Sequence, residues 1–251
     1  MINMKPILSI LILMFLVSCV SKQKQKDLSV HNLGGNVKHV IEKKSDAVKK
    51  FGEITNGKLS SETVMDFNKD GNMLKLTSTY YWDSKPDKKL YIFQYDSKGR
   101  KISVKDSNDK KPKITFSYNS DEFVDETSYF DSNGNIELKT KHKYDENGLP
   151  LESNNYNIKG DLIEKAKYKQ NSNGDPIEVI FYNGNGSFKS SLNYTYNSNN
   201  HLIELKFLED KVTDIYKYNY PKIDNNKNWL KQIEYYNGKL QTVTDRIIEY
   251  Y

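Results

Sequence analysis

The chain has a single cysteine, Cys19, in 251 residues, so no intramolecular disulfide can brace it. Alanine occurs only as Ala47 and Ala166 and strong helix-forming runs are missing, which argues against a helical bundle. Apolar residues make up 36% of the sequence. That supply suits a sheet with one dry face better than a thick two-sided core. The long apolar run, Ile7 to Val17, is too short and too early to be a membrane span. Neither sign of charge dominates: with Lys5 set aside, Lys and Arg exceed Asp and Glu by four, which leaves no basic footprint for nucleic acid. What the chain does have is 19 tyrosines, with Thr, Ile, Val and Phe, a composition that favours strands.

The first residues, MINMKPILSILILMFLVSC, place Lys5 before an apolar h-region, the pattern of a secretory signal. The run stops at Leu16-Val17-Ser18-Cys19, which resembles the bacterial lipobox. That resemblance implies cleavage before Cys19 and acylation of its thiol. Each buried acyl methylene contributes about 0.8 kcal/mol, so two or three chains would hold the protein on a membrane almost permanently. Residues 20–28, VSKQKQKDL from Val20, read as a flexible polar tether. The expected organisation is a signal peptide over 1–18, the acylated Cys and tether over 19–32, and a folded domain over 33–251 closed by a capping hairpin at 228–251. Lipoproteins of the Bacteroidota, which this chain resembles, carry acids behind the Cys when exported to the surface. Here only Asp27 is acidic, so the resemblance implies an outer-membrane lipoprotein on the periplasmic face.

Internal repetition sets the architecture. Nine turn units begin at Phe67, Tyr95, Tyr118, Phe130, Tyr144, Tyr156, Gln170, Tyr182 and Tyr196. The first position is aromatic in all but Gln170, and the second is Asp or Asn throughout. Asp or Asn there can accept backbone N–H groups two or three residues on, and the fifth position needs the left-handed backbone that Gly adopts freely and Asn tolerates. Gly71, Gly99, Gly134, Gly148, Gly160, Gly174 and Gly186 fill that position as structural turn glycines. Glu122 breaks the rule, and its turn is expected to be looser or differently built. From Gly134 the spacing alternates between 14 and 12 residues, so the true period covers two strand-turn units. Between turns the residues alternate: Ile136, Leu138, Thr140, His142 and Tyr144 on one face, Glu137, Lys139, Lys141 and Lys143 on the other.

These units predict an all-β fold, a long antiparallel meander of about fifteen strands. A sheet of that width curls or splits, so the expected form is a flattened barrel, sandwich or spiral with its aromatic face inward. Its exposed edges would be blunted by the Lys-rich first strand from Val37 and the charged segment TDRIIEYY at the end. At YDSKGRKI, from Tyr95, and YDENGLPL, from Tyr144, the chain resembles the YD repeats of RHS-type proteins, and more loosely MORN-type repeats, over most of residues 33–251. The resemblance implies a surface or contact module of the kind found in short Bacteroidota lipoproteins, without an established chemistry.

Motifs for catalysis and metal binding are thin. Asp66, Asn68, Asp70 and Gly71 match the start of a Ca²⁺ loop, but Thr77 stands where a bidentate Glu belongs, and a structural turn is the better reading. Of His31, His39, His142 and His201, no two share metal-ligand spacing; His142 reads as a hydrogen-bonded core residue. No GxSxG elbow exists, and catalytic residues would interrupt a repeat that runs on undisturbed. The sequence therefore predicts no catalytic residues, no metal and no cofactor. Register-bound tyrosines read as core, whereas Tyr81 and Trp82, next to Tyr80, and Trp229 fall outside the register and are the candidate ligand-binding residues. A glycan site would require Tyr81 or Trp82 to be exposed together with Trp229 and clustered with it. The functional expectation is a non-enzymatic, membrane-anchored envelope interaction or scaffold protein with a protein or glycan partner. The alternatives are a carbohydrate-binding lipoprotein and an immunity-type protein that binds a toxin.

Overall fold

The computed structural model describes residues 26–82 and 85–251; Cys19 and the signal segment lie outside the described residues. A four-residue helix, α1 (Asp27–Val30), precedes sixteen strands: β1 (Val37–Lys50), β2 (Glu53–Phe67), β3 (Met73–Tyr80), β4 (Asp87–Tyr95), β5 (Lys101–Asp106), β6 (Ile114–Tyr118), β7 (Val124–Phe130), β8 (Ile136–Tyr144), β9 (Pro150–Tyr156), β10 (Leu162–Gln170), β11 (Pro176–Asn183), β12 (Phe188–Tyr196), β13 (Leu202–Glu209), β14 (Val212–Ile223), β15 (Trp229–Tyr236) and β16 (Lys239–Tyr250). Each pairs antiparallel with its neighbours in sequence, and β1 pairs with β16 to close a barrel. The two terminal strands are therefore not blunted edges. They are each other's partners, from Val37↔Tyr250 to Asp46↔Thr242, and closure removes the edges outright.

Ten turns share one construction, in which the N–H of the Asp or Asn bonds the carbonyl four residues on while its own carbonyl accepts the N–H three residues on. In nine of them the side-chain Oδ1 also accepts the N–H groups two and four residues on, as Asp145 does from Asn147 and Leu149. The seven turn glycines hold φ between +73° and +86°. Glu122 does not loosen its turn: it takes φ +66° in the same hydrogen-bonded frame, its carboxylate paired with Lys98. The tenth unit, at Asp224, lacks a leading aromatic, and Lys227 supplies its left-handed residue at φ +66°.

Because strands alternate in direction, the turns after even-numbered strands share one rim, at which all seven are of this five-residue type. Around it the last aromatic of an even strand donates to the first carbonyl of the odd strand before it: Tyr95 to Met73, Tyr118 to Lys101, Tyr144 to Val124 and Tyr196 to Pro176, with Gln170 standing in toward Pro150. Tyr220 continues the series to Leu202. The two-unit period of the turns is thus the spacing of one hairpin plus its clasp.

Rows of inward side chains line the lumen. One inner row runs His142↔Ser153↔Ala166↔Phe181↔Ser190 across five strands, and all five are buried. Two apolar clusters result, one around Met65, Phe67, Met73 and Phe93, the other around Ala166, Val179, Phe181 and Leu192. The outer wall carries the alternate residues as ion pairs, including Lys139–Glu126 at 2.8 Å, Lys143–Glu152 at 3.0 Å and Lys169–Glu178 at 2.6 Å. Bulges at Lys44/Ser45 and Ser45/Ala47 bend the β1–β2 hairpin, bringing the Asn56 side chain to Asp245 at 2.5 Å.

Candidate functional site

Residues 27–35 are not a loose tether; they form a strap across the rim of uniform turns. Leu28 and Leu33 are too sparse to announce a helix, but both are buried against the first apolar cluster. At one end Asp27 accepts from the Met73 N–H at 2.8 Å and from Lys101 Nζ at 2.6 Å, with the Tyr95 hydroxyl at 2.5 Å. Burial works against its charge, but Lys101, Tyr95 and the Met73 N–H outweigh it and hold the carboxyl below its usual range. In the middle, the Asn32 amide donates to the Asn200 carbonyl at 2.6 Å. At the far end Asn228, fully buried, receives the Gly34 N–H at 2.7 Å and returns a bond to the Gly34 carbonyl at 2.9 Å. The strap therefore reaches from β3–β5 to the β14–β15 turn.

Beneath it lies a group of charged and aromatic side chains. Arg246 is held by Glu42 through Nε at 2.9 Å and Nη2 at 2.5 Å, and its guanidinium lies 3.4 Å from the Trp229 ring centre. Tyr220 stands 6.0 Å from Trp229 and 4.9 Å from His201. His31, on the strap, meets Phe67 edge-on at 6.2 Å. Burial pushes its imidazole down to about 4, although Asp27 and Glu42 pull the other way. His201 is likewise lowered, by burial and the Arg246 charge, against the pull of the Lys227 carbonyl. One strand-pair further in, Lys44 faces Glu234 at 3.3 Å.

Trp229 is 8% exposed and sits at the strapped rim, whereas Trp82 is 64% exposed at the opposite one. The structure does not bring them together, and the exposed aromatic cluster expected of a glycan site is corrected on both counts. Trp229 opens β15 opposite an irregular stretch of β14, with register shifts at Lys222 and Ile223, and is buried under the Arg246 guanidinium. Trp82 stacks on Tyr80 at 5.7 Å and 10°, while Tyr81 is half-buried with its N–H on the Ser60 carbonyl. His142 lies where its strand parity predicts, between Thr127 at 3.0 Å and Ser153 at 2.9 Å; burial takes it down to about 4. The Asp66 segment is a turn of the common type, with Asp66 turned to His39 at 2.6 Å. Among the described residues no group of three or more His, Cys, Asp or Glu is placed to hold a metal ion. Sequence reasoning missed Asp27, Glu42, Asn228 and Arg246, whose partners are remote in the chain; the one available signal was that Glu42 shares its strand face with Val40 and Arg246 with Ile248.

A family model described as "Uncharacterised protein" matches residues 128–250. No curated protein matches the chain. Among solved structures, a porin-like protein from Bacteroides uniformis is 9% identical, covering 85% of this chain and 98% of that one with a TM-score of 0.57. The shared property is the fold. A porin-like protein from Bacteroides vulgatus is 16% identical over 86% of this chain and 98% of its own, at a TM-score of 0.42. The Tc holotoxin pore of Photorhabdus luminescens is 11% identical and aligns with 77% of this chain and 13% of its own, at 0.31.

Proposed function

We propose that this protein is a non-enzymatic module of the bacterial cell envelope, held at a membrane by acylated Cys19 and working through the outside of its barrel. The observation that carries this reading is the outer wall. A lipid-spanning barrel turns an apolar band outward, and each Lys at the bilayer midplane costs about 2–4 kcal/mol. On β8 and β10 the outward positions include Lys139, Lys141 and Lys167 at mid-strand and Lys143 and Lys169 toward the rim, with acidic partners, so that exposed apolar residues such as Leu151, Ile163 and Ile247 share the wall with charged ones. That arrangement favours a barrel standing in water on a lipid tether. The strap supports it too, since the chain enters the fold at the strapped rim and Cys19 is seven residues before Lys26, a reach of at most roughly 25 Å.

The aromatic–Asx turn unit, repeated at both rims, supports kinship with YD-repeat proteins, and the Leu16–Cys19 lipobox supports an outer-membrane lipoprotein with the periplasmic face preferred. Fragment 20–251 is expected to stay in the aqueous phase on detergent phase separation, and Cys19→Ser is expected to release the full-length protein from membranes. A fragment that entered the detergent phase, or a Cys19→Ser protein that stayed membrane-bound, would contradict the reading. A second reading, carbohydrate contact, is favoured by the exposed Trp82 ring lying flat on Tyr80, a platform on which a sugar face could rest.

A further inference from the structure

Under the strap, two buried polar atoms have no hydrogen-bond partner among the described residues: Nδ1 of His201 and Nη1 of Arg246. Their residues are 2% and 8% exposed. They belong to one contiguous group, His201 against Tyr220, Tyr220 against Trp229, and Trp229 under the Arg246 guanidinium. Their chemistry is complementary. The Lys227 carbonyl, 2.8 Å from His201 Nε2, can only accept, so Nε2 carries the proton and Nδ1 of the neutral ring is an acceptor. Arg246 Nη1 can only donate. A native fold rarely leaves such groups unused without a reason.

Hydroxyl groups meet both needs, since a hydroxyl can accept from Nη1 and can donate to Nδ1. An anion would not: it would lie beside Glu42, which already neutralises Arg246, and would bring no proton for His201. The Tyr220 and Trp229 rings add apolar faces of the kind that pack against the C–H face of a sugar ring. We propose that the aromatic-lined region beneath the strap is a binding site for a small neutral polyol of the monosaccharide class, whose hydroxyls accept from Arg246 Nη1 and donate to His201 Nδ1. The strap is its lid. Asn32 and Asn228 clasp it by hydrogen bonds that must open to admit the sugar and can reform over it. This site is at the opposite rim from the Trp82 platform and does not depend on it.

The test uses fragment 20–251, which contains every strand and the strap, carrying Trp82→Phe. Trp229 is then the sole tryptophan and reports from the site. Glucose, galactose, mannose and N-acetylglucosamine are titrated against its emission. A saturable change with at least one sugar is expected, weakened roughly tenfold or more by His201→Leu, because a ligand hydroxyl loses its acceptor. Asn32→Ala, which touches the lid and not the ligand, is expected to tighten the apparent affinity by raising the fraction of open molecules. It also keeps the proposal testable if His201→Leu fails to fold. No response to any of the four sugars, with a crystal structure showing only water at the two atoms, would overturn the proposal. So would a response that both variants leave unchanged.

Discussion

A glycine with φ near +85° can be kept for its backbone or for the space it leaves, and this chain separates the two. At Gly160, φ +85°, an added Cβ would meet nothing within 4 Å, so Gly160→Ala should cost only the left-handed strain, about 1–2 kcal/mol. At Gly184 the same Cβ would lie 1.9 Å from the Leu162 carbonyl, and Gly184→Ala should be far more damaging, disrupting the β11–β12 turn; urea titration of both variants distinguishes the cases. Tyr118→Phe removes the 2.6 Å bond to the Lys101 carbonyl and should cost about 1 kcal/mol, lowering Tm by roughly 2–4 °C. The aromatic and Asx positions were legible because each does a local job that recurs. Glu122 and Lys227 were not, since the hydrogen-bonded frame of the turn forces the left-handed backbone on residues that would not choose it.

Among the elements, the strap was the hardest to read. Its Asp27 looked like a solvated tether acid, because nothing local reveals Lys101, 74 residues away. Its His31 and the core His142 give the fold a pH dependence of known sign. Both titrate near 6.5 when unfolded and are held at about 4 when folded, so the unfolded chain binds more protons between those values. Stability should be full above pH 6.5 and fall as pH drops toward 4, by roughly 2–3 kcal/mol for each histidine. Denaturant midpoints measured across pH 4–7 check this, and His142→Gln, which keeps polar contact with Thr127 and Ser153, should flatten the curve. An unchanged midpoint over that range would mean that neither imidazole is buried as described.

For the whole molecule, alternation in β8 was enough to say which side of the sheet is wet, and the repeat was enough to say that every strand pairs with the next. Closure was not legible, because the seam joins Val37 to Tyr250 across the entire chain and no repeat unit encodes it. The same fold is shared by a porin-like protein, and in this chain the outward positions of β8 and β10 include Lys139, Lys143 and Lys169 in ion pairs. The most direct test joins the seam chemically. Ile41 and Ile247 are register partners across β1 and β16, and Ile41 also pairs with Val64 across β2. In fragment 20–251, which has no native cysteine, the pair Ile41→Cys with Ile247→Cys should form an intramolecular disulfide under mild oxidation as readily as the control pair Ile41→Cys with Val64→Cys. A control that crosslinks while the seam pair stays reduced or links only between molecules would show an open sheet and contradict the closed barrel.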